Sequence, residues 1–273
     1  MPWFILVFIS LSLFVSCKKY ERTNPLDNKG IYSKSESISK ESVLKLIDFV
    51  EIPAGTFTMG SPSSEASRGL DEQQHVVTLS SFRMSQNEIT FAQYDAFCTA
   101  TGRSKPSDNG WGRGNRPVIN ISWNNAKAFA DWVGCRLPTE AQWEYACRAG
   151  TTSPFNTGNN LTSNQSNFDG KYPYVGNTSD VFLNKTQPVG SYSSNAWGLN
   201  DMHGNVLEWC SDRYDSNYGT DSQTNPIGPS FGFYLVSRGG GWNQYAKHCR
   251  SSSRYPSNPS IGQNNLGFCL VAP

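Results

Sequence analysis

The chain has 273 residues, of which 16% are charged, and its formal net charge is +1. So small a net charge presents no strong field of one sign, which argues against nucleic acid as a partner. A hydrophobic content of 37%, with 13% aromatic residues, is sufficient for a sizeable core, whereas 24 glycines and 15 prolines predict many turns.

The amino terminus predicts export. Residues 1–16, MPWFILVFISLSLFVS, form an uncharged apolar run that is short for a membrane span and ends in small residues, as a signal peptide does. The sequence LFVSC at residues 13–17 resembles a bacterial lipobox, with Phe14 at a usually aliphatic position and no Lys or Arg before the run. This resemblance implies lipidation of Cys17 and a lipid-anchored place in the cell envelope, on its outer surface. The alternative is a buried or plainly secretory segment.

Composition divides the rest of the chain in two. Residues 17–46 comprise the lipidated cysteine and a polar stretch rich in Ser and Lys, which predicts a flexible tether. Residues 47–273 are expected to form one domain. Six further cysteines permit disulfides whose pairing cannot be deduced, and no spacing of zinc type is present. These cysteines are Cys98, Cys135, Cys147, Cys210, Cys249 and Cys269.

The domain opens with short alternating runs, FVEIPAGTFTMGS and HVVTLSSFRMS, which predict strands. Three amphipathic segments then predict helices with defined ends. The expected N-caps are Thr90, Ser122 and Thr139, the expected capping-box partners are Gln93 and Gln142, and the expected stops are Gly134 and Gly150. Residues 151–273 contain too much Gly, Asn, Ser and Pro for long helices, so loops and short strands are expected there.

Four blocks resemble one family in the same order along the chain. They are FVEIPAGTFTMGS, PVINISWNNAKAFADWVGCRLPTEAQWEYACRAG, GLNDMHGNVLEW and SRGGGWN followed by NNLGFCLV. The chain resembles the formylglycine-generating-enzyme, or sulfatase-modifying factor, family over about residues 49–273. The resemblance implies an α+β fold, the C-type-lectin-like fold of formylglycine-generating-enzyme type, with few short strands and helices and much irregular structure.

The activity that this resemblance implies is oxidation of a target cysteine to formylglycine with copper held by two cysteines. Gln244 stands where the first thiol is expected, and Cys249 is the thiol that follows. Because copper(I) favours two sulfur ligands, a single thiolate predicts that the chain is not an enzyme. The copper-dependent oxidase remains the alternative.

The carboxyl-terminal segment, about residues 238–268, resembles the variable regions of diversity-generating retroelement proteins, and most closely those of lipid-anchored members. In that class the retroelement rewrites adenines in the codons of a binding face while a framework stays constant. Ten residues of types reachable from AAC or AAT codons are predicted to vary: Asn243, Tyr245, His248, Ser253, Tyr255, Ser257, Asn258, Ile261, Asn264 and Asn265. Gln244, Lys247 and Gln263 do not fit this pattern.

Trp242, Phe268 and Leu270 are expected to supply the framework of this segment. Tyr, Ser, Asn and Gly are typical of antibody paratopes, so the resemblance implies a surface that binds an unknown protein or glycan ligand. The alternatives are an ordinary surface loop or an invariant structural envelope lipoprotein.

Besides copper, the family resemblance implies a structural calcium ion, and no cofactor is expected to be required. The matching positions are Asn167 and Asp180 for one site and Asn205 and Glu208 for another. Carboxylate, amide and backbone carbonyl oxygens are the ligands that calcium takes. The alternative is that the two acids cap turns or pair with arginine.

Overall fold

The computed structural model describes Met1, residues 39–217 and residues 219–273, so the signal peptide and Cys17 lie outside the described residues. The helices are α1 (Lys40–Leu44), α2 (Phe91–Thr101), α3 (Trp123–Val133), α4 (Glu140–Arg148) and a 3₁₀ turn at Ala246–Cys249. The strands are β1 (Phe49–Ile52), β2 (Gly55–Met59), β3 (His75–Leu79), β4 (Phe82–Ser85), β5 (Leu207–Arg213), β6 (Gln223–Thr224), β7 (Leu235–Arg238), β8 (Tyr255–Ser257), β9 (Leu266–Gly267) and β10 (Val271–Ala272).

The strands form three small sheets, with orders β1-β4-β10, β2-β3-β6 and β8-β7-β5-β9. Most neighbours are antiparallel, but β6 joins β3 and β9 joins β5 in parallel. β10 returns the chain end to the amino-terminal sheet, where Val271 pairs with Met84. The carboxyl-terminal segment is therefore bounded on both sides by strands of the fold.

The three predicted helices form with the expected N-caps. Thr90 and Thr139 each close a capping box, and Ser122 accepts a bond from the Asn125 amide. α4 ends one residue earlier than expected, because Ala149 already adopts a left-handed conformation at φ 43° before Gly150. Every residue of α4 is buried, so its charged side chains need partners inside the protein.

In the hydrophobic core, helices from the middle of the chain pack against residues near its carboxyl end. Phe129 of α3 stacks on Tyr94 of α2 with ring centroids 5.5 Å apart, and Phe268 meets Phe129 edge to face at 5.6 Å. Phe268 and Leu270 are fully buried, and Trp242 is 7% exposed. The framework predicted for the carboxyl-terminal segment is thus part of the hydrophobic core.

The predicted tether extends too far at its carboxyl end. Ser39 caps α1 through a capping box, and Val43 of this helix is 1% exposed. Gln93 also donates from Nε2 to the Leu46 carbonyl at 2.7 Å. Because Val43 and Ile47 pack into the core with α2 and α3, the folded domain begins by Ser39.

All six cysteines of the domain are free thiols, and each is buried. Within the part of the chain that the structure describes, no helix has the length and apolar character that crossing a bilayer requires.

Candidate functional site

The buried helix α4 binds arginines of the carboxyl-terminal segment through two glutamates. Arg238 of β7 donates from Nη2 to Glu144 Oε2 at 2.7 Å, and its Nε lies 2.9 Å from Glu140 Oε1. Arg254 donates to both oxygens of Glu140, at 2.6 and 2.8 Å. Arg148 pairs with Glu144 at 2.8 Å. These charges are buried and mutually compensated, so each side chain has a fixed position.

Arg250 forms a second buried ion-pair group. Its guanidinium lies 2.5 Å from Glu65 and 2.7 Å from Glu72, and it donates to the Ser67 carbonyl at 2.8 Å. Burial alone would lower the pKa of Arg250, but the bonds and charges of Glu72 and Glu65 outweigh it and hold that pKa raised. Burial raises the pKa of Glu72, but the bond and charge of Arg250 together with bonds from Ser61 and the Gly69 backbone outweigh it, so the pKa of Glu72 is lowered and it stays ionised.

The arginines also fix the backbone between them. Arg238 Nη1 donates to the carbonyls of Ser251 and Ser253, at 2.9 and 3.0 Å. At the start of the segment, Gly240 has φ +75°, and a Cβ there would meet the Cys249 sulfur at 2.5 Å. The run GGG before Trp242 therefore permits a close approach that another residue would block.

Seven of the ten residues predicted to vary reach solvent. Asn243, Tyr245 and Ile261 are exposed, and four more are partly exposed: His248, Tyr255, Asn258 and Asn264. All seven lie in the carboxyl-terminal segment, whose backbone is bonded by Arg238 and which contains the buried Trp242. A set of solvent-facing side chains on a fixed backbone is an arrangement that can bind a partner.

Three of the predicted positions are instead buried, and this corrects the prediction of a ligand-contacting role for them. Ser253 Oγ donates to the Lys247 carbonyl at 3.0 Å, and Ser257 Oγ shares a 2.7 Å bond with Ser237 Oγ. Asn265 is 7% exposed and donates to the Asn243 side chain at 2.9 Å. Each of the three therefore bonds to another group of the protein, which is a structural role rather than a ligand-contacting one.

Aromatic side chains from other loops extend the surface. Tyr172 stacks on Tyr245 with centroids 3.9 Å apart and planes 26° apart, and Phe182 lies parallel to Trp242 at 6.0 Å. We call Tyr172, Phe182, Trp242 and Tyr245 the aromatic face. Lys171 lies 5.1 Å above the Phe182 ring, which adds a cation to it.

Sequence reasoning did not find Tyr172 and Phe182. Each lies in the irregular stretch between α4 and β5, where no periodicity marks a side chain as exposed or buried. The one available signal is the presence of an aromatic residue in a loop rich in Gly, Asn and Ser. That signal does not identify the distant residue that the aromatic ring contacts.

The copper site of two thiolates does not fit this segment. Gln244 uses its side-chain oxygen to accept a bond from the Gly241 amide at 3.0 Å. Cys249 is fully buried, with its sulfur 3.8 Å from the Tyr245 carbonyl, and burial raises the pKa of its thiol. Both positions therefore serve the local packing of the segment.

The calcium pair Asn205 and Glu208 also does not fit. The Asn205 side-chain oxygen already accepts from the Asn167 amide at 3.1 Å and the Gln187 backbone at 2.8 Å. Glu208 accepts from the Trp143 indole at 3.0 Å, and burial raises its pKa to about 7. Calcium needs oxygens free of donors, and these two are engaged.

The pair Asn167 and Asp180 fits only in part. Asn167 is 2% exposed, and its Oδ1 has no hydrogen-bond partner among the described residues. Asp180 accepts backbone bonds from Ser163 and Val181, both at 2.8 Å. The Ser163 side chain, and then these two backbone bonds, lower its pKa. The free amide oxygen suits a cation, whereas the Asp180 carboxylate closes a turn.

The structure buries one acid, Glu88, that the sequence did not single out. Glu88 is 2% exposed, and its Oε1 has no hydrogen-bond partner within the described ranges. Burial raises the pKa of Glu88, and so does the nearby Asp201. Asp201 accepts the Gly190 amide at 2.7 Å. This carboxylate pair has the free oxygen that the Asn205 and Glu208 pair lacks, although residues 39–217 and 219–273 contain no cluster of three or more potential acidic, His or Cys ligands.

Known proteins resemble this chain over most of its length. The model of the sulfatase-modifying factor enzyme 1-like domain matches residues 34–273. Formylglycine-generating enzyme of Mus musculus is 30% identical, over 84% of this chain and 76% of the mouse protein. Among solved structures, PvdO from Pseudomonas aeruginosa has a TM-score of 0.72 at 29% identity, covering 82% of this chain and 93% of its own. Treponema denticola variable protein 1 has a TM-score of 0.67 at 25% identity, covering 82% and 94%.

These findings confirm the predicted family resemblance and the C-type-lectin-like α+β fold. They correct the prediction that the chain is not an enzyme. Several curated relatives about 30% identical to it are formylglycine-generating enzymes, so the missing cysteine pair does not by itself exclude an enzymatic function. The chain belongs to the sulfatase-modifying factor enzyme 1-like family.

Proposed function

We propose that this chain is a ligand-binding lipoprotein of the cell envelope whose carboxyl-terminal segment varies to change binding specificity. The observation that supports this most is the separation of roles within the segment. Buried arginines determine the backbone, whereas Asn243, Tyr245 and Ile261 face solvent. The similarity to a protein named as variable, Treponema denticola variable protein 1, agrees with this proposal.

The energetics of the segment favour such variation. Arg238, Arg250 and Arg254 contact Glu140, Glu144, Glu65 and Glu72 through buried ion pairs that no exposed side chain takes part in. Exchange of a surface residue away from such features usually changes stability by no more than about 0.5 kcal/mol. A retroelement could therefore rewrite the exposed positions without loss of the fold.

The chemistry of the surface suits a protein or glycan ligand. Tyr245 is 37% exposed and Ile261 is 51% exposed, which gives apolar contact area, and the neighbouring Asn side chains add hydrogen-bonding groups. Tyrosine has few rotatable bonds, so little entropy is lost when it is ordered in an interface. The aromatic face adds Tyr172 and Phe182 to this area.

Sequencing the gene from several isolates of one population tests the variable segment. We expect substitutions concentrated at Asn243, Tyr245, Ile261 and the four partly exposed positions, with Arg238 and Arg250 unchanged. A template copy that differs at adenines, beside a reverse transcriptase gene, is expected in the same genome. An identical segment in all isolates would refute the proposal and favour an invariant envelope lipoprotein.

The lipid anchor has its own test. We expect metabolic labelling with a fatty-acid analogue to mark the full-length protein and a Cys17→Ser variant to lose the label and leave the membrane fraction. Equal labelling of the variant would exclude lipidation at Cys17. Surface proteolysis of intact cells then distinguishes display on the outer surface from an inward-facing location.

A second candidate function is oxidation of a peptide cysteine, which the identity to formylglycine-generating enzymes favours. Incubation of the purified full chain with copper, dioxygen as the oxidant and a cysteine-containing peptide tests it, with mass spectrometry to detect the aldehyde. Aldehyde formation that Cys249→Ser abolishes would support the oxidase. No aldehyde above the level of a heat-denatured sample would exclude this reaction for that peptide.

We also propose that the protein binds a structural calcium ion through Glu88 and Asp201. The burial of Glu88, its free Oε1 and the charge of Asp201 that acts on it support this placement over Asn205 and Glu208. A bound dication would compensate the two carboxylates, which otherwise repel each other.

A further inference from the structure

A cavity of about 650 Å³ lies outside the carboxyl-terminal segment. It is formed by the β3–β4 turn, the start of α3, the strand-like residues before α4 and the loop after β6. None of the ten residues predicted to vary lines it. Its volume falls within the range of about 300–1,000 Å³ that is typical of small-molecule sites.

Apolar side chains form part of the floor and rim of this cavity. Leu79, Phe82 and Leu137 are buried beneath it, at 2%, 8% and 3% exposure, and Ile227 forms part of the rim. The indole of Trp123 donates from Nε1 to the Cys210 carbonyl at 2.8 Å, which fixes the ring in the wall. An apolar ligand body would find a preformed surface here.

Three basic and two acidic side chains line the cavity, so one basic side chain has no acidic counterpart among them. Lys127 pairs with Asp131 at 2.6 Å, and Arg83 lies directly opposite Glu51 across the β1–β4 ladder. Arg136 is the third basic residue. It has no carboxylate within ion-pair distance among the described residues.

Neutral oxygens orient the Arg136 guanidinium. Its Nη1 donates to Gln142 Oε1 at 2.7 Å and to the Leu137 carbonyl at 3.2 Å. Gln142 is itself held by the capping box of α4, where the Thr139 amide donates to the same oxygen at 3.1 Å. The Nε and Nη2 groups have no protein acceptor within the described ranges. Arg136 lines the cavity and is exposed, and partial desolvation of its guanidinium lowers its pKa, which the Asp212 charge offsets only in part.

We propose that this cavity binds a small organic carboxylate, with its apolar body against Leu79, Phe82 and Trp123 and its carboxylate on Arg136. Two parallel N–H groups of an oriented guanidinium match the two oxygens of a carboxylate. This site is independent of ligand binding by the carboxyl-terminal segment.

Titration of the full chain with 3-phenylpropionate, followed by NMR of the ligand and the protein, tests the proposal. We expect saturable binding of the acid, and binding about tenfold weaker for the neutral 3-phenylpropanamide, which keeps the apolar body and loses the charge. We expect Arg136→Gln to weaken binding of the acid by about tenfold or more while leaving binding of the amide nearly unchanged.

Arg213→Gln is the matched control, because it removes an exposed arginine that does not line the cavity and should leave the affinity unchanged. Ile227→Glu places a negative charge at the rim and should weaken acid binding without touching the arginine. If Arg136→Gln does not fold, Arg136→Lys replaces it, with a smaller loss expected. Equal affinities of acid and amide, equal affinities of wild type and the Arg136 variant, or no saturable binding at about 5 mM acid would each overturn the proposal.

Discussion

Arg238 on β7 and Glu144 on α4 form a fully buried ion pair, with Nη2 2.7 Å from Oε2 and neither side chain exposed. The pair joins the strand that begins the carboxyl-terminal segment to the buried helix. Arg238 also holds the carbonyls of Ser251 and Ser253, so one side chain links three parts of the fold. The shape of the segment therefore depends on a residue that no ligand can reach.

Removal of this arginine should destabilise the protein strongly. We expect Arg238→Ala to lower the free energy of unfolding by about 3–5 kcal/mol, because Glu144 and Glu140 would remain buried with less compensation. Urea denaturation measures the change. Lys127→Ala is the control, since its pair with Asp131 is exposed and should contribute no more than about 1 kcal/mol. A loss of similar size in both variants would show that the buried pair has no special role.

Simultaneous exchange of exposed residues should leave the fold intact. We expect a variant with Tyr245→Asn, Asn258→Ser, Ile261→Asn and Asn264→Ser to melt within about 5 °C of the wild type, because these side chains reach solvent. Ser257→Tyr is the contrasting variant, since it adds a large ring beside the buried Ser237 hydroxyl and should cost about 1–3 kcal/mol. Differential scanning calorimetry compares the two. A collapse of the fourfold variant would mean that the exposed side chains hold the fold.

Local signals in the sequence predicted local structure well. The capping residues Thr90, Ser122 and Thr139 act within four residues of themselves, so a short window contains all the information for each helix start. The exposed and buried positions of the carboxyl-terminal segment were not separable in this way. Ser257 is buried because it meets Ser237, and Tyr245 stacks on Tyr172, and both partners lie too far along the chain for spacing to reveal them.

The candidate metal ligands also depend on contacts with residues distant in the sequence. The motif GNVLEW drew attention to Asn205 and Glu208, but their oxygens are occupied by Gln187 and Trp143, which lie elsewhere in the sequence. Glu88 stands just before a helix cap and resembles an ordinary surface acid in the sequence. Its burial follows only from the tertiary fold.

A buried acid should make stability fall as pH rises. Burial, and then the charge of Glu140, raise the pKa of Asp212 from 3.8 to about 7, while Ser211 and Arg238 oppose the shift. Between these values the folded state binds the proton and the unfolded state does not, so the free energy of unfolding decreases with pH across that window. Asp212→Asn removes the proton-binding group, so the free energy of unfolding of the variant should depend less on pH.

The measurement for Asp212 is urea unfolding of both proteins at several pH values from about 4 to 8. The wild type should lose stability relative to the variant as pH rises, by about 1.4 kcal/mol for each unit by which the folded pKa exceeds the unfolded one. Other raised carboxyls contribute equally to both proteins and cancel in the difference. Parallel curves would contradict the assignment of a raised pKa to Asp212.

Calcium should stabilise the protein through Glu88 and Asp201. We expect the melting temperature to rise on addition of calcium and to fall with a chelator, since a ligand at about 100 times its Kd adds about 2.7 kcal/mol to the unfolding free energy. Glu88→Gln with Asp201→Asn should abolish this response, because both carboxylates would become neutral amides. Asp180→Asn should retain it, since the Asp180 oxygens accept the Ser163 and Val181 amides. If the Asp180 variant loses the calcium response and the double variant keeps it, the calcium site lies at Asn167 and Asp180 instead.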